Sequence, residues 1–143
     1  MGGFSLRRWL CGHGIIAIMT INLTLYGIPN CDTVKKARVW LTEHDVAYEF
    51  HDFKKNGVPP AQLQRWVNAV GWEKVLNRQG TTWRRLDPAA QAAVKDDASA
   101  IALLVEHPSA VKRPVVEWSD AADDVTVGFK ADEWHTRLIA HQR

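Results

Sequence analysis

The chain has 143 residues, of which 46% are hydrophobic and 24% are charged, and its formal net charge is +2 at pH 7. This length fits one domain, and the balance of apolar and charged residues argues against both a disordered chain and a membrane protein. The lysines and arginines are dispersed and do not form a basic run interleaved with aromatic residues, which argues against a role in nucleic-acid binding.

Residues 1–19 are predicted to be a disordered extension. Two arginines before a weakly apolar run imitate a signal peptide, but glycines interrupt the run and no cleavage site follows. No apolar run approaches the ~20 residues of a membrane-spanning helix. Regular alternation begins only after Met19, so we expect one domain over residues 20–143. We also expect the protein to be cytoplasmic and to act as a monomer.

The first third of the domain predicts a strand, a helix and a second strand. Residues 21–26 alternate and are rich in strand-forming side chains, and Gly27 and Pro29 end the strand. Residues 32–43 carry apolar side chains at helical spacing, and residues 47–53 again favour a strand. Such a unit requires two parallel strands joined by a right-handed crossover.

The middle of the chain is predicted to be helical. The pattern predicts helices at residues 59–70, 87–94 and 97–106, and residues 72–76 lead into a loop at 77–82. Asp87 is a plausible N-cap because Pro88 takes the first helical position after it. Asp97 and Ser99 are the cap candidates for the last of these helices.

The final third returns to strands. Residues 115–118 and 125–129 flank a polar turn at 119–124, which predicts an antiparallel hairpin, and a helix follows at 131–141. The element order predicts an α/β, thioredoxin-like fold: a four-stranded mixed sheet flanked by helices, with a helical insertion at about residues 57–110.

Cys31 lies between the first strand and the first helix, where chemistry is expected. Ligands of a βαβ unit collect at the carboxyl ends of the strands, and the free N–H groups of a helix start favour an anion. The same donors stabilise a thiolate, which is the nucleophilic form of cysteine. Lys35 and Arg113 would add to this effect if they lie nearby. The alternative is a buried, inert thiol, which we adopt for Cys11 but not for Cys31.

Cys31 has no partner thiol in its own loop, since Val34 occupies the position that a Cys-x-x-Cys motif would need. A disulfide formed on Cys31 must therefore be resolved by another molecule, most simply glutathione, unless Cys11 reaches it. No cofactor is expected to stay bound. The histidines show no metal-binding spacing, so no metal site is predicted, and no phosphate-binding or dinucleotide glycine pattern occurs.

Three separated motifs resemble the arsenate reductase-like family of the thioredoxin superfamily, which includes ArsC, Spx and YffB types. They are Y-G-I-P-N-C-D-T-V-K-K-A-R-V-W-L (residues 26–41), G-T-T-W-R-R-L-D (80–87) and K-R-P-V-V (112–116). They occur in the family's order, and the resemblance spans about residues 20–141. It is strongest to a branch suspected of glutathione-dependent thiol reduction.

The resemblance implies that Cys31 is the catalytic cysteine and that Pro114 is a cis-proline facing it. It also implies that Arg113 helps to hold an oxyanion, the alternative being an arginine in a surface salt bridge. Asn30 and Lys35 join it as expected anion-binding residues. Residues 81–84 of the second motif are expected to line the site or to accept part of a glutathione-like ligand, with packing under the insertion as the alternative for Trp83.

Arsenate reductases of this family use two further arginines, and here the chain departs from the pattern. One position falls near Arg78, which could substitute for it after a small loop shift, and we count Arg78 among the expected anion-binding residues. The other falls near Phe129 and Lys130, where no arginine exists. Because lysine is only a point charge and phenylalanine has none, arsenate specificity is doubtful.

The sequence leaves two hypotheses of different class. The first is a glutathione-dependent thiol/disulfide oxidoreductase or arsenate reductase-like enzyme, acting on a small oxyanion or a disulfide together with the glutathione and glutaredoxin system. The second is a regulator similar to Spx that binds RNA polymerase without turnover. Redox-switched regulators of that kind carry a Cys-x-x-Cys pair, which this chain lacks.

Overall fold

The computed structural model describes residues 23–141, which form one mixed four-stranded sheet with helices on both faces. The strands are β1 (Thr24–Gly27), β2 (Glu49–Asp52), β3 (Val115–Glu117) and β4 (Val125–Val127), in the order β2-β1-β3-β4. The pair β1–β2 is parallel, whereas β1–β3 and β3–β4 are antiparallel. The predicted fold class is confirmed, and the predicted extension at 1–19 lies outside the described residues.

Eight helices and one 3-10 turn complete the described chain. They are α1 (Asp32–Glu43), α2 (Phe53–Asn56), α3 (Pro60–Val70), α4 (Trp72–Val75), α5 (Thr81–Arg85), α6 (Pro88–Ala92), α7 (Asp97–Glu106), the 3-10 turn (Pro108–Ala110) and α8 (Ala131–His141). The predicted bounds of α1, α7 and α8 and the predicted Asp87 cap of α6 are confirmed.

Local capping explains two of the places where the sequence prediction was wrong; β1 includes Gly27, and β4 ends at Val127. The Asp52 side chain accepts a hydrogen bond from the N–H of Lys54 at 2.8 Å, so Phe53 begins a short helix and does not end the strand. Asp96, and neither Asp97 nor Ser99, caps α7, because its carboxylate accepts from the N–H of Ser99 in a capping box. Helix α5 also begins inside the predicted loop.

Two apolar clusters cover the two faces of the sheet, since neighbouring strand residues point to opposite sides. Leu25 and Val116 face the cluster that α1 and α8 complete, which also contains Val34 and Trp134. On the opposite face, Tyr26, Val115 and Val125 meet α3 and α7 in the second cluster. The helical insertion thus covers one face only.

A buried polar network crosses the interface between α3 and the sheet. Glu117 is 6% exposed and accepts hydrogen bonds from the Tyr26 hydroxyl at 2.9 Å, from the Trp66 indole at 2.8 Å and from the Gln62 amide. The Arg65 guanidinium lies 3.4 Å from the same carboxylate. Burial, followed by the Glu117 charge, raises the pKa of Tyr26, so this hydroxyl remains a donor.

The insertion is fastened to the segment that leads into β3. The N–H of Asn77 donates to the carbonyl of Ala110 at 2.8 Å, and the N–H of Lys112 donates to the carbonyl of Val75 at 2.8 Å. Leu76 and Val111 form a bridge between these two bonds. Residues 110–112 are therefore held at a fixed place beside α4.

Among residues 23–141, no helix combines the length and the apolar character that crossing a membrane requires.

Candidate active site

Cys31 is the residue immediately before α1, at the carboxyl end of β1. The chain reaches this position through a close approach of Gly27 to Val34, where a Cβ on the glycine would lie 2.8 Å from a Val34 methyl carbon. Val34 is fully buried in the cluster under α1, and Cys31 packs against that cluster while staying partly exposed. The helix start and its cysteine are thus held tightly but remain accessible.

Arg113 acts on this thiol from the segment before β3. Its peptide bond to Pro114 is cis, as the resemblance implied, and Pro114 is buried. The guanidinium Nη1 donates to the backbone carbonyl of Ser109 at 2.8 Å, and Nε is buried without a hydrogen-bond partner among the described residues. Arg113 forms no ion pair with any described residue, so the alternative of an arginine in a surface salt bridge does not apply to the described residues.

The pKa of Cys31 reflects opposing influences. Burial alone would raise it, but the N–H of Val34, the guanidinium of Arg113 and the N–H of Thr33 together bring the pKa below its ordinary value. The thiol makes no regular capping hydrogen bond, so these donors favour the thiolate chiefly once its charge has formed. A partly exposed thiol with a lowered pKa beside a cation is suited to nucleophilic attack.

The structure brings only part of the sequence-predicted set together. The side chains of Asn30 and Lys35 are exposed and form no hydrogen bond or ion pair with another described residue. The Arg78 guanidinium lies over the Trp72 ring, 5.7 Å from its centroid, and is not among the groups that lower the pKa of Cys31. Cys31 and Arg113 therefore form the centre of the candidate site.

The position of the missing arginine is closed by packing. The Phe129 ring lies 4.7 Å from the Trp134 ring and 6.5 Å from the Trp40 ring, centroid to centroid, in the cluster under α1 and α8. The neighbouring Lys130 is exposed. This part of the chain therefore contributes packing in place of a third guanidinium.

Sequence reasoning missed Ser109, whose carbonyl holds Arg113. Ser109 lies in the 3-10 turn and acts through its backbone carbonyl, which a pattern of side chains cannot reveal. Trp83 packs against the cluster on the α3 face, which favours the packing alternative for that residue. No group of three or more potential metal ligands occurs within residues 23–141.

A family model described as the ArsC family matches residues 26–137. The chain belongs to the ArsC family. The match includes Cys31, Arg113 and the whole helical insertion, so the candidate site and the fold that supports it lie inside the family's common domain.

Two solved structures resemble this chain over most of its length. A protein named YFFB is 50% identical with a TM-score of 0.76, and the match covers 82% of this chain and 99% of that one. An arsenate reductase (ArsC) related protein from Brucella melitensis is 42% identical with a TM-score of 0.62, covering 89% and 98% of the two chains. Both matches span nearly the whole length of the solved chain, so the fold described above is shared along that length.

A more distant relative comes from the regulatory side of the family. The global transcriptional regulator Spx of Streptococcus agalactiae is 26% identical over 113 residues, which are 78% of this chain and 79% of the regulator. Membership of the ArsC family therefore fixes the fold and leaves both an enzymatic and a regulatory role to be tested.

Proposed function

We propose that this ArsC-family protein is a thiol-dependent oxidoreductase that reduces mixed disulfides of glutathione through Cys31. The observation that carries the proposal is the partly exposed Cys31 thiol at the start of α1, with its pKa lowered by the α1 N–H groups and Arg113. A thiolate is both the attacking species and a good leaving group in disulfide exchange.

The proposed reaction proceeds in two exchanges. The Cys31 thiolate attacks the glutathione sulfur of the mixed disulfide, a Cys31–glutathione disulfide forms, and the other sulfur leaves as a thiolate. A second glutathione thiolate then attacks the glutathione sulfur on Cys31, which releases the Cys31 thiolate and glutathione disulfide. One mixed disulfide and one glutathione thus give one free thiol and one glutathione disulfide, and the glutathione proton passes to the released thiolate.

The need for an external thiol follows from the surroundings of Cys31. Val34, at the position of a resolving cysteine, is fully buried in the core. Cys31 is the sole cysteine within residues 23–141, and Cys11 lies outside the described residues. Glutathione is the donor that we propose for such a site, and a protein that uses it would act in a reducing compartment such as the cytoplasm.

A disulfide fits the site better than arsenate does. Arsenate recognition in this family relies on several guanidinium groups. Here Arg113 is the one arginine of the described residues that lowers the pKa of Cys31, and Arg78 lies over Trp72. Planar bidentate donors bind a tetrahedral oxyanion far better than dispersed lysines. Arsenate is therefore the second substrate to test.

Turnover measured with two substrates tests the proposal. The purified protein, supplied with reduced glutathione, should reduce the mixed disulfide of glutathione and 2-mercaptoethanol faster than arsenate. Cys31→Ser should abolish turnover, and the matched control Cys11→Ser should retain it. Equal turnover by Cys31→Ser, or no turnover of either substrate by the wild-type protein, would contradict the proposal.

The second candidate function is a regulator that binds RNA polymerase, and the similarity to Spx favours it. A pull-down with the polymerase α subunit separates the two functions. Tight association together with no reduction of either substrate would support the regulator. The enzyme hypothesis predicts turnover without association with the α subunit. We propose that the enzyme functions as a monomer.

A further inference from the structure

The guanidinium of Arg113 is held by a turn of the backbone. Nη1 donates to the Ser109 carbonyl at 2.8 Å, four residues earlier in the chain. Ser109 lies in the middle of the 3-10 turn, directly before the residues that pair with α4. The orientation of Arg113 is therefore set by where this turn places one carbonyl oxygen.

The turn is fastened in its own right by a side chain from the insertion. The Thr82 hydroxyl on α5 donates to the Ser109 hydroxyl at 3.1 Å, across 27 residues of chain. On the other side of Ser109, the N–H of Asn77 binds the Ala110 carbonyl. Ser109 is thus tied to α5 through its side chain and through its neighbour to the loop after α4.

We propose that Thr82 and Ser109 form a positioning pair that holds the Arg113 guanidinium against Cys31. Among the described residues, neither hydroxyl forms a hydrogen bond with the Cys31 thiol, so the pair acts through Arg113. The inference rests on the proposed function, because it gives Thr82 a purpose only if the reactivity of Cys31 matters.

The physical reason lies in the freedom of the arginine side chain. A long side chain loses conformational entropy when it is fixed, so an unheld guanidinium would spend part of its time away from the sulfur. Arg113 has no carboxylate partner among the described residues. The Ser109 carbonyl is the hydrogen-bond acceptor that holds its guanidinium. Loosening that anchor should lower the average stabilisation of the thiolate.

None of the other charged groups near the thiol forms a hydrogen bond with Thr82, whose hydroxyl bonds to Ser109. Asp32 and Lys35 lie on α1 beside Cys31, and Lys112 precedes Arg113, but none of these side chains forms an ion pair with another described residue. A shift in the titration of Cys31 on changing Thr82 would therefore report on Arg113.

The experiment measures the pH dependence of alkylation of Cys31 by the uncharged reagent iodoacetamide, in a Cys11→Ser background. Thr82→Val and Ser109→Ala should raise the midpoint and slow alkylation at pH 7 by about two- to five-fold, the effect of one weakened hydrogen bond. Thr82→Ser keeps the hydroxyl and should behave as wild type. The double variant should shift no further than either single one, because both remove the same bond.

Thr136→Val is the matched control, because the Thr136 hydroxyl makes an exposed bond of the same 3.1 Å length, to the Asp132 carbonyl on α8. Thr82→Val matching this control, or Thr82→Ser shifting as far as Thr82→Val, would overturn the inference. Urea unfolding of each variant separates positioning from stability, since a shift that follows the loss of stability across the variants also overturns it.

The inference and the proposed function fail in different measurements. An unshifted Thr82→Val variant in a protein that reduces the mixed disulfide removes the positioning pair and leaves the function. A shifted variant in a protein that reduces neither substrate removes the function and leaves the pair as the device that sets the thiol pKa.

Discussion

Burial raises the pKa of the Cys31 thiol, whereas hydrogen bonding to the thiolate lowers it. The donors prevail because two of them are backbone groups at a helix start, which cost nothing further to orient, and the third is a permanent cation. The sequence predicted Cys31 because a strand end followed by a helix start can be recognised locally. It could not place Arg78, whose position depends on the path of a loop.

Replacing Arg113 should raise the pKa of Cys31. Arg113→Ala removes a donor and a positive charge that favour the thiolate, so the alkylation midpoint moves to higher pH. At pH 7 the thiolate fraction falls and alkylation slows by about three- to ten-fold. The matched arginine, Arg78→Ala, should leave the midpoint unchanged because Arg78 lies over Trp72. An equal shift in both variants would mean that Arg78 also reaches the sulfur.

The junction between β1 and α1 shows what an element boundary requires. The helix begins at Asp32 because Gly27 lets the turn pass within van der Waals distance of Val34, and the absence of a side chain is what makes room. The bounds of α1 and α8 could be predicted from the sequence, because helical spacing of apolar residues is a local feature. The end of β2 could not, because Asp52 suits a strand end and a helix cap equally.

Gly27→Ala should destabilise the protein by about 1–3 kcal/mol, as overpacking of a filled site does. The new methyl group would lie 2.8 Å from a Val34 methyl carbon, so the helix start must shift. Val34→Ala also destabilises, through a cavity. Urea unfolding of the double variant should show less than the sum of the two losses, and strict additivity would show that the glycine serves some other purpose.

Across the whole molecule, the two apolar clusters are joined by one sheet and the insertion is tied to it by the Glu117 network. The sequence predicted the sheet and the helices that flank it, since strand alternation and helical spacing are local. It did not predict a carboxylate at 6% exposure with donors from β1 and α3. Partners that lie 51 and 91 residues apart meet only once the fold exists.

Glu117→Gln should lower the free energy of unfolding by about 2 kcal/mol. An amide presents N–H groups toward the Tyr26, Gln62 and Trp66 donors, so at least one of them loses its acceptor, and Arg65 loses its ion-pair partner. Glu133→Gln on the exposed side of α8 makes the same chemical change and should have little effect. Equal urea midpoints for the two variants would show that the network contributes nothing to stability.

The bonds that join the loop after α4 to residues 110–112 have a consequence for divergence among homologues. A substitution in the insertion that moves this loop also moves the backbone that carries Arg113, so it alters the acidity of the sulfur without touching the cleft. Thiol reactivity in this lineage can therefore drift through packing changes remote from the cysteine. Two homologues with the same residues around the sulfur need not share a rate.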